Sequence, residues 1–197
     1  KDVTVEEDTQ YPFENTVRFK IRTQDSAAFT LVLRVPEWAV SSEISLNSER
    51  LSVCAKDRIY KNYRSFKDGD EIVISFQDEI RLIENAGGVS VKKGALLYAL
   101  PVEENVVVNG LREMGNEDFP HYSLYPASSW NYGISAEDYG QAEFFKTEKE
   151  PMSEPWRKAC NTLRIELPVY ELPEWKLRTY SIVNRRLKPR ENGVPVR

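Results

Sequence analysis

At 197 residues, with 41% hydrophobic and 29% charged side chains, the chain has the composition of a globular protein long enough to bury roughly 70% of its unfolded surface. Its 27 basic and 31 acidic residues leave a formal charge of −4, and the basic ones are dispersed, which argues against nucleic acid and anionic membrane as partners. The longest apolar stretch, residues 95–102, is far below the ~18 residues that a membrane-spanning helix requires.

The opening Lys-Asp-Val-Thr-Val-Glu-Glu-Asp has neither an initiating Met nor an apolar signal region and runs straight into strand-like sequence, so the chain is expected to come from a longer polypeptide. In residues 16–23, Val17, Phe19 and Ile21 alternate with Arg18, Lys20 and Arg22, the period of a strand with one face in a core and one in water. Phe29, Leu31, Leu33 and Val35 repeat the pattern until Pro36 removes a backbone donor, which predicts a second strand antiparallel to the first. Ile44 and Leu46 begin a third, the turn-like Asn47-Ser48-Glu49 follows, and residues 59–66 alternate more weakly. Lys67-Asp68-Gly69-Asp70 supplies the positive φ of a tight turn, so residues 64–76 read as a hairpin whose second strand carries Ile72, Ile74 and Phe76.

Ile80 and Leu82 mark a further strand before Asn85-Ala86-Gly87-Gly88 punctuates the chain. The second half has short strands near residues 106–108 and 163–167, around an irregular stretch at residues 110–130 rich in aromatics and prolines. Helical periodicity is almost absent. The expectation is an all-β fold of two antiparallel, jelly-roll-like β-sandwich domains in tandem, residues 1–86 and residues 87–197, the second with long loops. Residues 178–190, which hold Arg185, Arg186, Lys188 and Arg190, read as a solvated basic tail.

No catalytic residue is nominated. The single histidine, His121, lies in an aromatic-flanked loop, where a packing or hydrogen-bonding role is expected. Gly88-Val89-Ser90-Val91-Lys92 starts like a nucleophile elbow and fails at its last position. With 31 acidic residues some pair could always be nominated for glycosidase chemistry, so composition alone selects none. Cys54, Cys160 and His121 are scattered singly, which predicts free thiols and no metal site. Loop aromatics stand out instead: Trp38, Trp130, Tyr132, Trp156 and Trp175. Their flat faces suit either sugar rings or the plugging of sandwich ends, and Trp130 and Tyr132 are the ligand-binding candidates.

Six segments occur in an order that resembles one family. They are Thr9-Gln10-Tyr11-Pro12-Phe13, Leu33-Arg34-Val35-Pro36-Glu37-Trp38-Ala39, Lys67-Asp68-Gly69-Asp70, residues 91–100 with Lys93-Gly94 where the family has Arg-Gly-Pro, Ser129-Trp130-Asn131-Tyr132-Gly133, and Leu172-Pro173-Glu174-Trp175. The order resembles the β-sandwich region that follows the catalytic domain in glycoside hydrolase family 127, the β-L-arabinofuranosidase-like group. The resemblance implies a parent whose (α/α)6 barrel carries a cysteine nucleophile beside zinc, and an accessory region, with no cofactor of its own, that packs on that absent barrel. None of the barrel motifs has a matching position here, and the family's final strand is not visible after Val196-Arg197. A homodimer and a bound glycan are the other partners considered, and a periplasmic or secreted parent is favoured over a cytoplasmic one. An autonomous carbohydrate-binding module and an adhesion or assembly domain are the alternative functions.

Overall fold

The computed structural model describes residues 2–52, 58–85, 88–108, 118–135, 137–147, 162–176 and 195–196. Cys54, Cys160, Trp156, Gly87 and the basic residues 178–190 lie outside the described residues. The chain divides into two compact units, Lys1–Glu84 with Ser90–Tyr98, and Asn85–Val89 with Ala99–Arg197.

The first unit holds β1 (Val3–Thr9), β2 (Thr16–Thr23), β3 (Ala27–Arg34), β4 (Ser41–Leu46), β5 (Glu49–Ser52), β6 (Ile59–Phe66) and β7 (Glu71–Gln77). Five of them form an antiparallel sheet in the order β1-β2-β7-β4-β5, while β3 and β6 pair separately. One apolar cluster draws Val17 and Ile21 from β2, Ile44 and Leu46 from β4 and Ile72 and Ile74 from β7 on one side, and Leu33, Tyr60 and Phe66 from β3 and β6 on the other. That is a sandwich, and the alternation read from the sequence places the right face inward. Ile21, Ile44 and Ile72 are fully buried, each contributing about 1.5–3 kcal/mol. β1 shows no clean alternation because it is an edge strand whose middle is exposed, with Glu6 facing Lys20 and Asp8 facing Arg18 across the ladder.

Two expected pairings are corrected. β3 does not pair with β2. Residues 24–26 carry the chain to the opposite sheet, where β3 runs against β6 from Ala27↔Phe66 to Arg34↔Ile59. Residues 64–76 are likewise not a hairpin, since β6 and β7 belong to different sheets. Gly69 does take positive φ, at 82°, and the Asp70 N–H donates to the Lys67 carbonyl at 3.2 Å. The turn is nevertheless anchored to β2: the Gly69 N–H donates to the Ile21 carbonyl at 2.9 Å and the Ile21 N–H to the Asp70 carbonyl at 2.8 Å. Buried Phe66 and Ile72 then face each other's sheets across the core. A two-residue turn, Asn47 (φ 49°) and Ser48 (φ 69°), does make the β4–β5 hairpin.

After β7 come β8 (Ile80–Asn85), β9 (Gly88–Lys93) and β10 (Leu96–Tyr98), in the order β10-β9-β8. The second unit contains β11 (Glu104–Val108), β12 (Tyr122–Pro126), β13 (Tyr132–Gly133), β14 (Glu143–Lys146), β15 (Leu163–Glu166), β16 (Val169–Glu171) and β17 (Pro195–Val196). They make three small antiparallel sheets, β11-β12, β14-β15 and β13-β16-β17. β12 corrects the irregular reading of residues 110–130, and it was hidden because almost none of its side chains faces a core. The all-β class holds in both units.

Candidate functional site

Trp130 and Tyr132 lie two residues apart on the extended run that enters β13, and both are half-buried. β13 is fixed against β16 by Tyr132↔Glu171 and Gly133↔Tyr170. The Asn131 carbonyl accepts from the Leu172 N–H at 2.7 Å, and the Asn131 side-chain amide donates to the Leu172 carbonyl at 2.7 Å. Leu172 is buried, and a Cβ on Gly133 would stand 2.9 Å from its Cδ1, so the glycine leaves room for the leucine side chain. The Trp175 N–H donates back to the Leu172 carbonyl at 2.8 Å, which ties the Leu-Pro-Glu-Trp segment to the same place. Two segments singled out in the sequence, residues 129–133 and 172–175, are thus brought together around one leucine.

Beside them, the Tyr170 hydroxyl donates to Asp138, and Gln141 Nε2 donates to the other carboxylate oxygen at 2.8 Å. The hydrogen bond to Asp138 pushes the Tyr170 phenol above its ordinary value, helped by desolvation and by the Asp138 and Glu137 charges. This contact was invisible in the sequence, where Asp138 and Tyr170 stand 32 positions apart. The described contacts fix the backbone under Trp130 and Tyr132 and commit the one polar side chain between them, Asn131, to the fold.

Trp38 is a structural residue. Its ring lies 5.5 Å from Phe76 edge-on and 6.4 Å from Tyr11, packed against the first core. Arg58 braces its loop by donating to the Pro36 carbonyl at 2.6 Å. His121 is exposed just before β12.

A polar cluster in the first unit escaped sequence reading. Asp78 follows β7 and receives Lys93 Nζ at 2.5 Å and Asn15 Nδ2 at 2.8 Å. The ion pair is largely shielded, with side-chain exposures of 17% and 13%. A Cβ on Gly94, whose φ is +59°, would come within 3.0 Å of Asp78 Oδ2. Burial, reinforced by the Asp78 charge, pushes the Tyr98 phenol up to about 12. The cluster pins the β9–β10 turn to the sandwich through the Lys93-Gly94 pair.

The β11–β12 ribbon has the opposite character. Val106↔Leu124 and Val108↔Tyr122 lie on one face and Val107↔Ser123 on the other. Val106, Val108, Tyr122 and Leu124 are each more than half exposed, at 53%, 60%, 52% and 63%.

Among the described residues no three His, Cys, Asp or Glu side chains are placed to hold a metal ion. Among them, too, no helix is long and apolar enough to cross a membrane.

Residues 1–77 match the family described as the middle domain of GH127 β-L-arabinofuranosidases. The match ends at the last residue of β7. No functionally curated protein matches the chain. Among solved structures, a glycoside hydrolase is 27% identical over 48% of this chain and 17% of its own, with a TM-score of 0.44. A GH127 β-L-arabinofuranosidase from Geobacillus stearothermophilus T6 is 20% identical over 63% of this chain and 27% of its own, at 0.45. A GH127 β-arabinofuranosidase is 18% identical over 84% and 28%, at 0.43. The chain therefore spans between about a sixth and just over a quarter of those proteins, and the family reading rests on the match over residues 1–77.

Proposed function

We propose that the chain is a non-catalytic accessory β region of a larger glycoside hydrolase of the β-L-arabinofuranosidase type, following and supporting a catalytic barrel in the same polypeptide. The observation that carries this reading is the match of residues 1–77 to the GH127 middle domain. In this reading the nucleophile and zinc belong to the barrel, and Asp78, Lys93 and Asn15 hold the β9–β10 turn in place. A second reading, a carbohydrate-binding module, is favoured by the half-buried Trp130 and Tyr132, two residues apart at the entry to β13.

The test uses the 197-residue chain itself. Incubation with an aryl β-L-arabinofuranoside releases no arabinose, and calorimetric titration with arabinan gives no heat. Turnover would overturn the accessory role. Binding heat abolished by Trp130→Ala and Tyr132→Ala would replace it with the binding module.

A further inference from the structure

We propose that the apolar face of the β11–β12 ribbon is the seat of another domain of the same polypeptide, lying outside these 197 residues. This deepens the accessory reading and rests on it. The paired positions Val106↔Leu124 and Val108↔Tyr122 place three branched aliphatics and one aromatic on one face, all more than half exposed, with Tyr125 and Val107 exposed on the other. A two-stranded ribbon is at best marginally stable in water, and three or more strands or a packed partner are needed to hold it. Contiguous exposed apolar side chains of this kind mark interaction surfaces.

The chemistry selects the occupant. Of the ribbon's residues Glu104, paired with Pro126 at one end, is the one charged side chain that the register puts on this face, and no basic side chain stands there to hold a nucleic acid or an acidic partner. A glycan needs convergent hydrogen-bonding groups beside its stacking face, and on this face the one aromatic ring, Tyr122, stands at one end of the ribbon and the Glu104 carboxylate at the other, with Val106 and Leu124 between them. A face that is aliphatic over Val106, Val108 and Leu124 resembles the permanent interfaces that look like a domain core cut in two. The matched family is described as a middle domain, which implies other domains in the polypeptides that carry it. A face that needs permanent cover is best served by a neighbour that is never diluted away, which is what covalent linkage provides. The partner domain presents apolar side chains of its own and no charge opposite Val106 and Leu124.

Hydroxyl-radical footprinting tests this on the full-length polypeptide and on the 197-residue chain, with the mass of each sample followed by light scattering. The expected result is that Tyr122 and Leu124 react several-fold more slowly in the full-length monomer than in the shorter chain. Equal reactivity in both would overturn the proposal. So would protection in the monomeric short chain, which would assign the cover to its own residues, or protection that appears only as the mass doubles, which would assign it to a second copy. As a check on folding, Leu124→Glu in the full-length polypeptide restores reactivity at Tyr122 while leaving the Asp78–Lys93 region unchanged in hydrogen exchange. Arabinofuranosidase activity of the full-length polypeptide is measured in the same samples, so activity without protection discards the ribbon interface and keeps the accessory reading.

Discussion

Gly94 is held by two constraints at once, a φ of +59° and the Asp78 carboxylate at the position its Cβ would crowd. That carboxylate cannot swing away without giving up Lys93 or Asn15. Gly94→Ala is therefore expected to cost about 1–2 kcal/mol in urea unfolding. Unchanged stability would mean that the turn relaxes freely. Tyr98 reports the same cluster through pH. Its phenol is pushed from 10.0 to about 12, first by burial and then by Asp78, so the fold favours the neutral form. Its contribution is complete below about pH 10 and is lost as pH rises towards about 12, because the unfolded chain ionises first. Wild-type stability should fall through that window more steeply than that of Tyr98→Phe. Parallel curves would contradict the assignment. None of this was legible in the sequence, since Asn15, Asp78 and Lys93 are brought together only by strand pairing.

At the scale of elements, alternation located β2, β3, β4, β6 and β7 and paired four of them wrongly, β2 with β3 and β6 with β7. A period of two states which face is buried and says nothing about which neighbour supplies the ladder, so a β-arch between sheets and a hairpin within one look alike. Lys67-Asp68-Gly69-Asp70 reads as a hairpin turn from its glycine, and only its bonds to Ile21 reveal that it spans the sandwich. Asp70 is the centre of that turn. Burial pushes its carboxyl up, but bonds from Asn47 and the Lys67 N–H and the charges of Arg64 and Lys67 together hold it below 3.8. Asp70→Ala is expected to cost about 1–2 kcal/mol at neutral pH, as hydrogen bonds to a charged group would suggest. A lowered carboxyl stabilises above its unfolded value and loses that contribution as pH falls through the folded one, so the difference from wild type should shrink below pH 3.8. A difference independent of pH would point to packing instead.

At the scale of the molecule, the two units differ in how they are built. The first has a sandwich core contributed by five strands, whereas among the described residues of the second only Leu172 is a buried hydrophobic. The fold class and the first core were legible because alternation and burial coincide there. Of the ribbon, β11 was legible at residues 106–108, but β12 and the Asp138–Tyr170 contact were not, because neither leaves a periodic apolar face turned to a core of this chain. Trp130 and Tyr132 were legible as aromatics on one run, and their anchoring around Leu172 was not.

The central claim, that these residues serve a β-L-arabinofuranosidase whose chemistry lies elsewhere in the polypeptide, is tested most directly by assaying the full-length polypeptide on an aryl β-L-arabinofuranoside. The account predicts release of L-arabinose by the full-length protein. Absence of that activity in a folded, metal-loaded full-length protein would contradict it.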